Sequence, residues 1–90
     1  MSTAAQPTSN DPRIRAVEVT EDRITAHLVD GRTISVPLAW SWRLASASPA
    51  ERAQYEIIGN GAGVRWPAVD EDLSARGMLE GRPAHRPHGG

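Results

Sequence analysis

The sequence predicts a small α+β domain, in which short helices cover an antiparallel sheet made of an N-terminal three-stranded meander and a C-terminal pair of short strands. Three observations predict it. Apolar and polar residues alternate in three short runs between residues 16 and 36, Asp30-Gly31 separates two of these runs, and Ser48-Pro49 begins a helical segment. A chain of 90 residues, 39% of them hydrophobic, has room for one such domain.

The three runs are predicted strands with one dry face. Residues 16–20 alternate, residues 23–28 follow after a polar turn, and residues 33–36 form the third run. Ile24, Ala26 and Leu28 are the expected inward positions of the second strand. Asp30-Gly31 predicts a type I′ hairpin, which needs a positive φ at both residues. Pro37 lacks a donor N–H and is expected to end the strand pairing or to lie at a sheet edge.

A helix over residues 49–55 is expected to cover the dry face. Ser48 suits the N-cap, Pro49 suits the first helical position, and Glu51 completes a capping box. Before it, Trp40 and Leu44 stand at helical spacing, which predicts an irregular turn or a single helical turn.

The C-terminal part is predicted to be a hairpin followed by a helix. Residues 56–58 and 64–66 flank a glycine-rich loop, which lacks the Lys-Ser/Thr of a phosphate-binding loop and is interpreted as a turn. Residues 70–76 predict a short helix with its acids in the first turn and Asp70 as its cap. Gly77 is expected to end that helix, and Met78 and Leu79 to return to the core.

Residues 1–12 and 82–90 are predicted to be disordered arms around a single domain at residues 13–81.

The composition excludes several functional classes. The chain has no cysteine, which excludes disulfides and thiolate zinc sites and favours a reducing, cytoplasmic location. A net charge of −1, with 10 basic and 11 acidic residues, disfavours free-standing nucleic-acid binding. No membrane association and no cofactor are expected.

The acidic run Asp70-Glu71-Asp72 has three interpretations. Carboxylates are ligands for hard cations, but adjacent acids on a helix point in different directions and no calcium-loop spacing is present. Helix capping by Asp70 explains most of the pattern without any function. The third interpretation is an acidic patch that attracts a basic partner.

Tryptophan is the second candidate feature. In a small domain without Phe, Trp is often the largest core residue. Trp42 is weighed equally between core and interface, because exposed tryptophans often anchor protein interfaces. His27, on the outward face of its strand, has no serine elbow beside it, so no catalytic residue is assigned. The candidate partner-binding residues are Trp42, Trp66, Asp70, Glu71 and Asp72.

Taken together, the motifs resemble the bacterial domain-of-unknown-function family 2442. The resemblance extends from about Val17 to Gly81, with Met78 where the pattern has Leu. The matching residues are the run 30–38, Trp40, Arg43-Leu44, Ala47, Arg52, Tyr55, Ile58-Gly59, Gly61, Val64, Trp66-Pro67, Asp70-Glu71-Asp72, Ser74 and the run 77–81.

The resemblance implies a curled antiparallel sheet with short helices and no established catalytic residue. It also implies a paired-gene arrangement, in which this chain is the antitoxin-like partner of another small protein. Our leading hypothesis is therefore a non-enzymatic protein-interaction module. The alternatives are a small metal- or ligand-binding domain that uses Asp70-Glu71-Asp72, and a homo-oligomer paired through a sheet edge.

Overall fold

The computed structural model describes residues 11–81, which form two three-stranded antiparallel sheets around one core. The predicted arms at residues 1–12 and 82–90 lie almost entirely outside the described residues. Of the two arm residues that are described, Pro12 is buried, and Asp11 accepts a hydrogen bond from Arg76 at 2.6 Å. No described helix has the length and apolar character needed to cross a bilayer.

The first sheet is the predicted meander. Its strands are β1 (Ile14–Val19), β2 (Arg23–Leu28) and β3 (Thr33–Pro37), paired in that order. The inward positions of β2, Ile24, Ala26 and Leu28, are almost wholly buried, as the alternation predicted.

The hairpin between β2 and β3 differs from the prediction in its turn type. Only Gly31 has a positive φ, at 95°, so the predicted type I′ turn is wrong. The N–H of Gly31 donates to Leu28 O, and the N–H of Leu28 donates to Arg32 O, which closes a three-residue loop with a bulge at the glycine. This three-residue loop needs a positive φ at one residue only, whereas the predicted two-residue turn needs it at two. The side chain of Asp30 accepts hydrogen bonds from Arg32.

The second sheet contains a strand that the sequence pattern did not predict. Its strands are β4 (Glu56–Ile58), β5 (Gly63–Trp66) and β6 (Glu71–Ser74), in that order. The predicted helix over residues 70–76 is wrong, because residues 71–74 pair with β5 instead. Asp70 does not cap the start of a helix, and its N–H donates to Pro67 O at the end of a 3₁₀ turn. It has a left-handed backbone, with φ 55°, at the turn into β6.

Three short helices connect and follow the strands. They are α1 (Trp42–Ala45), α2 (Pro49–Arg52) and α3 (Ala75–Glu80), and single 3₁₀ turns cover Leu38–Trp40, Gly59–Gly61 and Pro67–Val69. The capping box of α2 is present as predicted, but α2 ends at Arg52, well before residue 55. The single helical turn predicted near Trp40 and Leu44 is confirmed as a 3₁₀ turn followed by α1.

Helix α3 begins and ends later than the predicted helix. Ser74 caps it by accepting a hydrogen bond from the Gly77 N–H at 2.8 Å. A Cβ at Gly77 would stand 2.7 Å from the Ser74 hydroxyl, so the glycine makes room for this cap and does not end the helix. Gly81, with φ 79°, ends it. Met78 is buried as expected, whereas Leu79 is half exposed.

Both sheets contribute to the same core. β1 contacts β4 and β5, and a Cβ on Gly61 would lie 2.9 Å from the Cβ of Arg13, so the loop between β4 and β5 packs closely on the start of β1. The buried cluster contains Ile14, Val17, Ile24, Ala26, Leu28, Val36, Leu38, Leu44, Val64, Trp66, Ala75 and Met78.

Candidate interaction surface

The surface around Trp42 and Asp70 is held together by arginine side chains. The guanidinium carbon of Arg43 lies 4.9 Å from the centre of the Trp42 ring, within the range of a cation–π contact. The same guanidinium donates to the backbone oxygen of Asp70 at 2.7 Å. Arg43 therefore connects α1 to the turn before β6, two segments that are 27 residues apart in the chain.

Arg65 organises the two exposed acids of this surface. It donates to Asp70 at 3.0 Å and to Asp72 at 3.3 Å, and Asp72 lies directly opposite Arg65 in the pairing of β5 with β6. The side chains of Asp70 and Asp72 remain 78% and 61% exposed. The negative charges of Asp70 and Asp72 are balanced by the positive charges of Arg43 and Arg65. The surface is therefore charge-paired, whereas the sequence suggested an acidic patch. We call Trp42, Arg43, Arg65, Asp70 and Asp72 the Trp42–Asp72 surface.

The third acid of the run points inward. Glu71 is only 5% exposed, and its carboxylate accepts a hydrogen bond from the hydroxyl of Ser41 at 2.5 Å. The N–H of Asp72 donates to its other oxygen at 3.0 Å. Ser41 also accepts from the Leu44 N–H as the N-cap of α1, so Glu71 is tied to the start of that helix. Alternation along β6 causes this, since successive strand residues point to opposite faces.

Trp66 is also removed from the surface. It is fully buried, its indole N–H donates to Arg52 O at 3.0 Å, and its ring lies 6.2 Å from that of Tyr55. Trp66 therefore fills the core, and the interpretation of Trp66 and Glu71 as partner-binding residues is corrected, because neither buried side chain can reach a partner. Trp42 is half-buried, which leaves part of its ring at the surface.

The acidic run is not arranged as a metal site. Asp70 and Asp72 are turned to Arg65, whereas Glu71 is turned to Ser41, so the three carboxylates do not converge on a common point. Within residues 11–81, no three His, Asp or Glu side chains are placed to hold a metal ion. His27 lies on the outer face of the first sheet, with Nε2 3.3 Å from a carboxylate oxygen of Glu18.

A second surface feature was missed by the sequence interpretation. An open groove of about 400 Å³ lies between the outer edge of β1 and helix α2. No local sequence motif predicts this groove, because its two walls are about 30 residues apart in the sequence. It is lined by Val17, Glu18, Val19, Thr20, Pro49, Arg52, Ala53 and Tyr55.

These features define a class: a small α+β domain of two three-stranded antiparallel sheets, with a charge-paired aromatic surface and a groove along a strand edge. The family model described as "Protein of unknown function (DUF2442)" matches residues 14–84, and the chain belongs to that family. The family expected from the sequence motifs is thereby confirmed. No match to the chain was found among curated proteins.

Two solved structures are similar to the whole domain. A protein of unknown function from Rhodospirillum rubrum shares 29% identity at a TM-score of 0.72, over 86% of this chain and 95% of its own. The uncharacterised protein CV0863 from Chromobacterium violaceum has a TM-score of 0.73 at 23% identity, over 94% of this chain and 90% of its own. The second likeness concerns the fold alone.

Proposed function

We propose that this protein is a non-enzymatic interaction module that binds a small protein partner through the Trp42–Asp72 surface. The observation that carries the proposal is the partly exposed Trp42 side chain, held against Arg43 while Arg43 is anchored on the backbone of Asp70. Tryptophan and arginine are enriched among the residues that dominate binding energy at protein interfaces.

The arrangement of these side chains supports the proposal as well as their composition does. Arg43 and Arg65 connect α1, β5 and the turn before β6, so their contacts already place the Trp42 ring and the carboxylates of Asp70 and Asp72 beside one another in the free protein. Preorganised side chains lose less conformational entropy on binding than mobile ones. In this proposal Trp42 is the anchor, and Asp70 and Asp72 pair with donor groups on the partner. The antitoxin-like role expected from the family resemblance is one form that such a module takes.

The test is affinity capture of the tagged full-length chain from a lysate of its own host, followed by mass spectrometry. We expect one small protein at a stoichiometric ratio, lost when Trp42→Ala removes the anchor and weakened by the double variant Asp70→Asn/Asp72→Asn. Asparagine tolerates the left-handed backbone at position 70, so the second variant removes charge without straining the turn.

The matched control is Glu21→Gln/Asp22→Asn, which removes two exposed adjacent acids in the turn between β1 and β2. Its net charge equals that of the Asp70/Asp72 variant, so a non-specific charge effect would weaken capture by both. Circular dichroism of each variant verifies the fold. A partner retained by Trp42→Ala and by the Asp70/Asp72 variant would refute the assignment of this surface.

A further inference from the structure

The outer edge of β1 has backbone groups directed into the groove beside α2. The N–H of Val17 donates to the hydroxyl of Tyr55 at 3.1 Å, so it points away from β2. The N–H of Thr20 donates to Arg23 O, on the β2 side. Because backbone groups of an antiparallel strand alternate between its two edges, Val19 shares the outward orientation of Val17. The outer edge thus has three groups that face the groove: the N–H and C=O of Val19 and the C=O of Val17.

The groove runs beside the outer edge of β1, where a single extended segment could pair with the outward backbone groups. The far wall consists of Pro49 and Arg52 of helix α2 and of Ala53, which follows the helix. Tyr55 closes the groove beside Val17, because its hydroxyl accepts a hydrogen bond from the Val17 N–H. An antiparallel segment opposite Val19 would exchange two hydrogen bonds with it and donate a third to Val17 O. Addition of an extended peptide to an exposed strand edge is an established mode of recognition, in which main-chain bonds give affinity and alternate side chains give specificity.

Charge selects which segment fits. Glu18 lies between Val17 and Val19, whose backbone groups face the groove. Its side chain is on the outer face of the sheet and is 69% exposed. The segment's residue opposite Glu18 would place its side chain on the same face, where an opposite charge is favourable. We propose that the β1–α2 groove binds an extended segment of a partner protein with a Lys or Arg between two apolar, non-proline residues. The flanking apolar residues would turn toward Pro49, Ala53 and the ring of Tyr55.

The same chemistry argues against other occupants. If β1 paired with β1 of a second copy in antiparallel fashion around Glu18, it would set two Glu18 carboxylates opposite each other, and like charges there are destabilising. The chain's own ends do not fit either. Residues 1–10 contain no Lys or Arg, and residues 82–90 have no basic residue between two apolar, non-proline residues. The groove shares no residue with the Trp42–Asp72 surface, so this inference does not depend on the proposed function.

The experiment is a peptide titration of the full-length protein followed by amide NMR shifts. The probe is an acetylated, amidated peptide Ser-Thr-Val-Lys-Val-Thr-Ser, and its control has Glu in place of Lys. We expect saturable shifts at the amides of residues 17–20 with the Lys peptide, slowed hydrogen exchange at the Val19 amide, and binding about fivefold weaker for the Glu peptide.

Two variants make the test decisive. Glu18→Lys should reverse the preference between the two peptides, whereas Asp22→Lys, an exposed acid outside the groove, should leave it unchanged. Val19→Pro removes the outward N–H of an edge strand without taking a donor from the pairing of β1 with β2, and it should abolish binding of either peptide while circular dichroism stays that of the folded protein. If neither peptide shifts these amides at millimolar concentration, or if Glu18→Lys leaves the preference as it was, the proposal is wrong.

Discussion

The sheet of β1, β2 and β3 and the sheet of β4, β5 and β6 share one core but are held in it by different interactions. In the first sheet the inward side chains of Ile24, Ala26 and Leu28 contribute through burial alone. In the second, buried groups also make directional contacts: Trp66 donates to Arg52 O, and Glu71 accepts from Ser41. Burial of apolar area is graded and tolerant, whereas a buried polar group left without its partner bears the full desolvation cost.

The two halves of the domain should therefore respond differently to substitution. In the first sheet the loss of free energy of unfolding should follow the volume removed. In the second it should exceed what the volume predicts, because one deletion leaves a second buried group unsatisfied. Substitutions in each half of the domain test this difference.

Trp66→Ala is expected to have the largest effect. The side chain is fully buried and its N–H is bonded to Arg52 O, so the substitution should lower the free energy of unfolding by about 3–5 kcal/mol. The measurement is urea unfolding followed by far-ultraviolet circular dichroism. In the first sheet, Ile24→Val removes one buried methylene at an equally buried site and should lower the free energy of unfolding by about 0.5–1.5 kcal/mol.

Trp66→Phe separates the two contributions at position 66. It retains most of the ring volume but loses the indole N–H, which leaves Arg52 O without that donor. We expect a loss between those of Ile24→Val and Trp66→Ala. If Trp66→Phe were as stable as the wild type, the hydrogen bond to Arg52 O would contribute nothing, and the second sheet would depend on burial in the same way as the first.

Ser41→Ala tests the buried carboxylate. The substitution removes the donor to Glu71 and the acceptor of the Leu44 N–H, so the free energy of unfolding should fall by about 1–3 kcal/mol. The matched change is Ser35→Ala on the exposed face of the first sheet, where the serine contacts Arg23 and Thr25. Exposed substitutions of this kind usually stay within about 0.5 kcal/mol. Equal losses at both positions would contradict the role of burial in this pair.

The same contrast explains which parts of the fold were predictable. The first sheet follows from its alternation, since each strand's inward face can be identified without knowledge of its neighbours. β6 could not be recognised in this way, because the acids at residues 70–72 satisfy the preferences of a helix start. Residues 71–74 form a strand because they pair with β5 and because Ser41 donates a hydrogen bond to the inward-facing Glu71. Such partners lie far away in the sequence, so local propensity misplaced the helix.

The candidate site was predictable to a similar degree. Trp42, Asp70 and Asp72 were identified by residue type, and the structure brings them to one surface. Arg43 and Arg65 were missed as members of that surface, although their contacts determine its charge and its rigidity. The β1–α2 groove was missed entirely, because it arises where two elements pack and not from any motif within either of them.

Ser74→Ala tests where the last helix begins. Ser74 caps α3 through the Gly77 N–H, so its loss should lower the free energy of unfolding by about 1 kcal/mol, as N-cap substitutions usually do. The control is Ser46→Ala at the C-terminal end of α1, where the cap bond comes from the backbone N–H. A loss at Ser46 as large as that at Ser74 would show that the cap hydrogen bond is not what stabilises α3.

Substitution of Asp30 is expected to have the smallest effect on the free energy of unfolding. Of the effects predicted here, it alone has a defined pH dependence. The backbone N–H of Arg32 donates to its carboxylate at 2.9 Å and is the main cause that lowers the pKa of Asp30 below its ordinary value. The Arg32 guanidinium, at 2.7 Å, lowers this pKa further. A carboxyl whose pKa is lower in the folded state stabilises the fold above its unfolded pKa, and this stabilisation is lost as the pH falls through the folded pKa.

Carbon-detected NMR titration of the Asp30 carboxyl should therefore find a pKa below that of the unfolded chain. Arg32→Gln retains the backbone N–H and should leave the pKa of Asp30 below that of the unfolded chain. Asp30→Asn retains the oxygen that accepts from Arg32 but has no charge, so its stability should fall slightly below that of the wild type at neutral pH and converge with it below the folded pKa. If Arg32→Gln restored the ordinary pKa, the guanidinium would be the dominant cause. The hairpin of the first sheet would then depend on an exposed ion pair and not on the geometry of its turn.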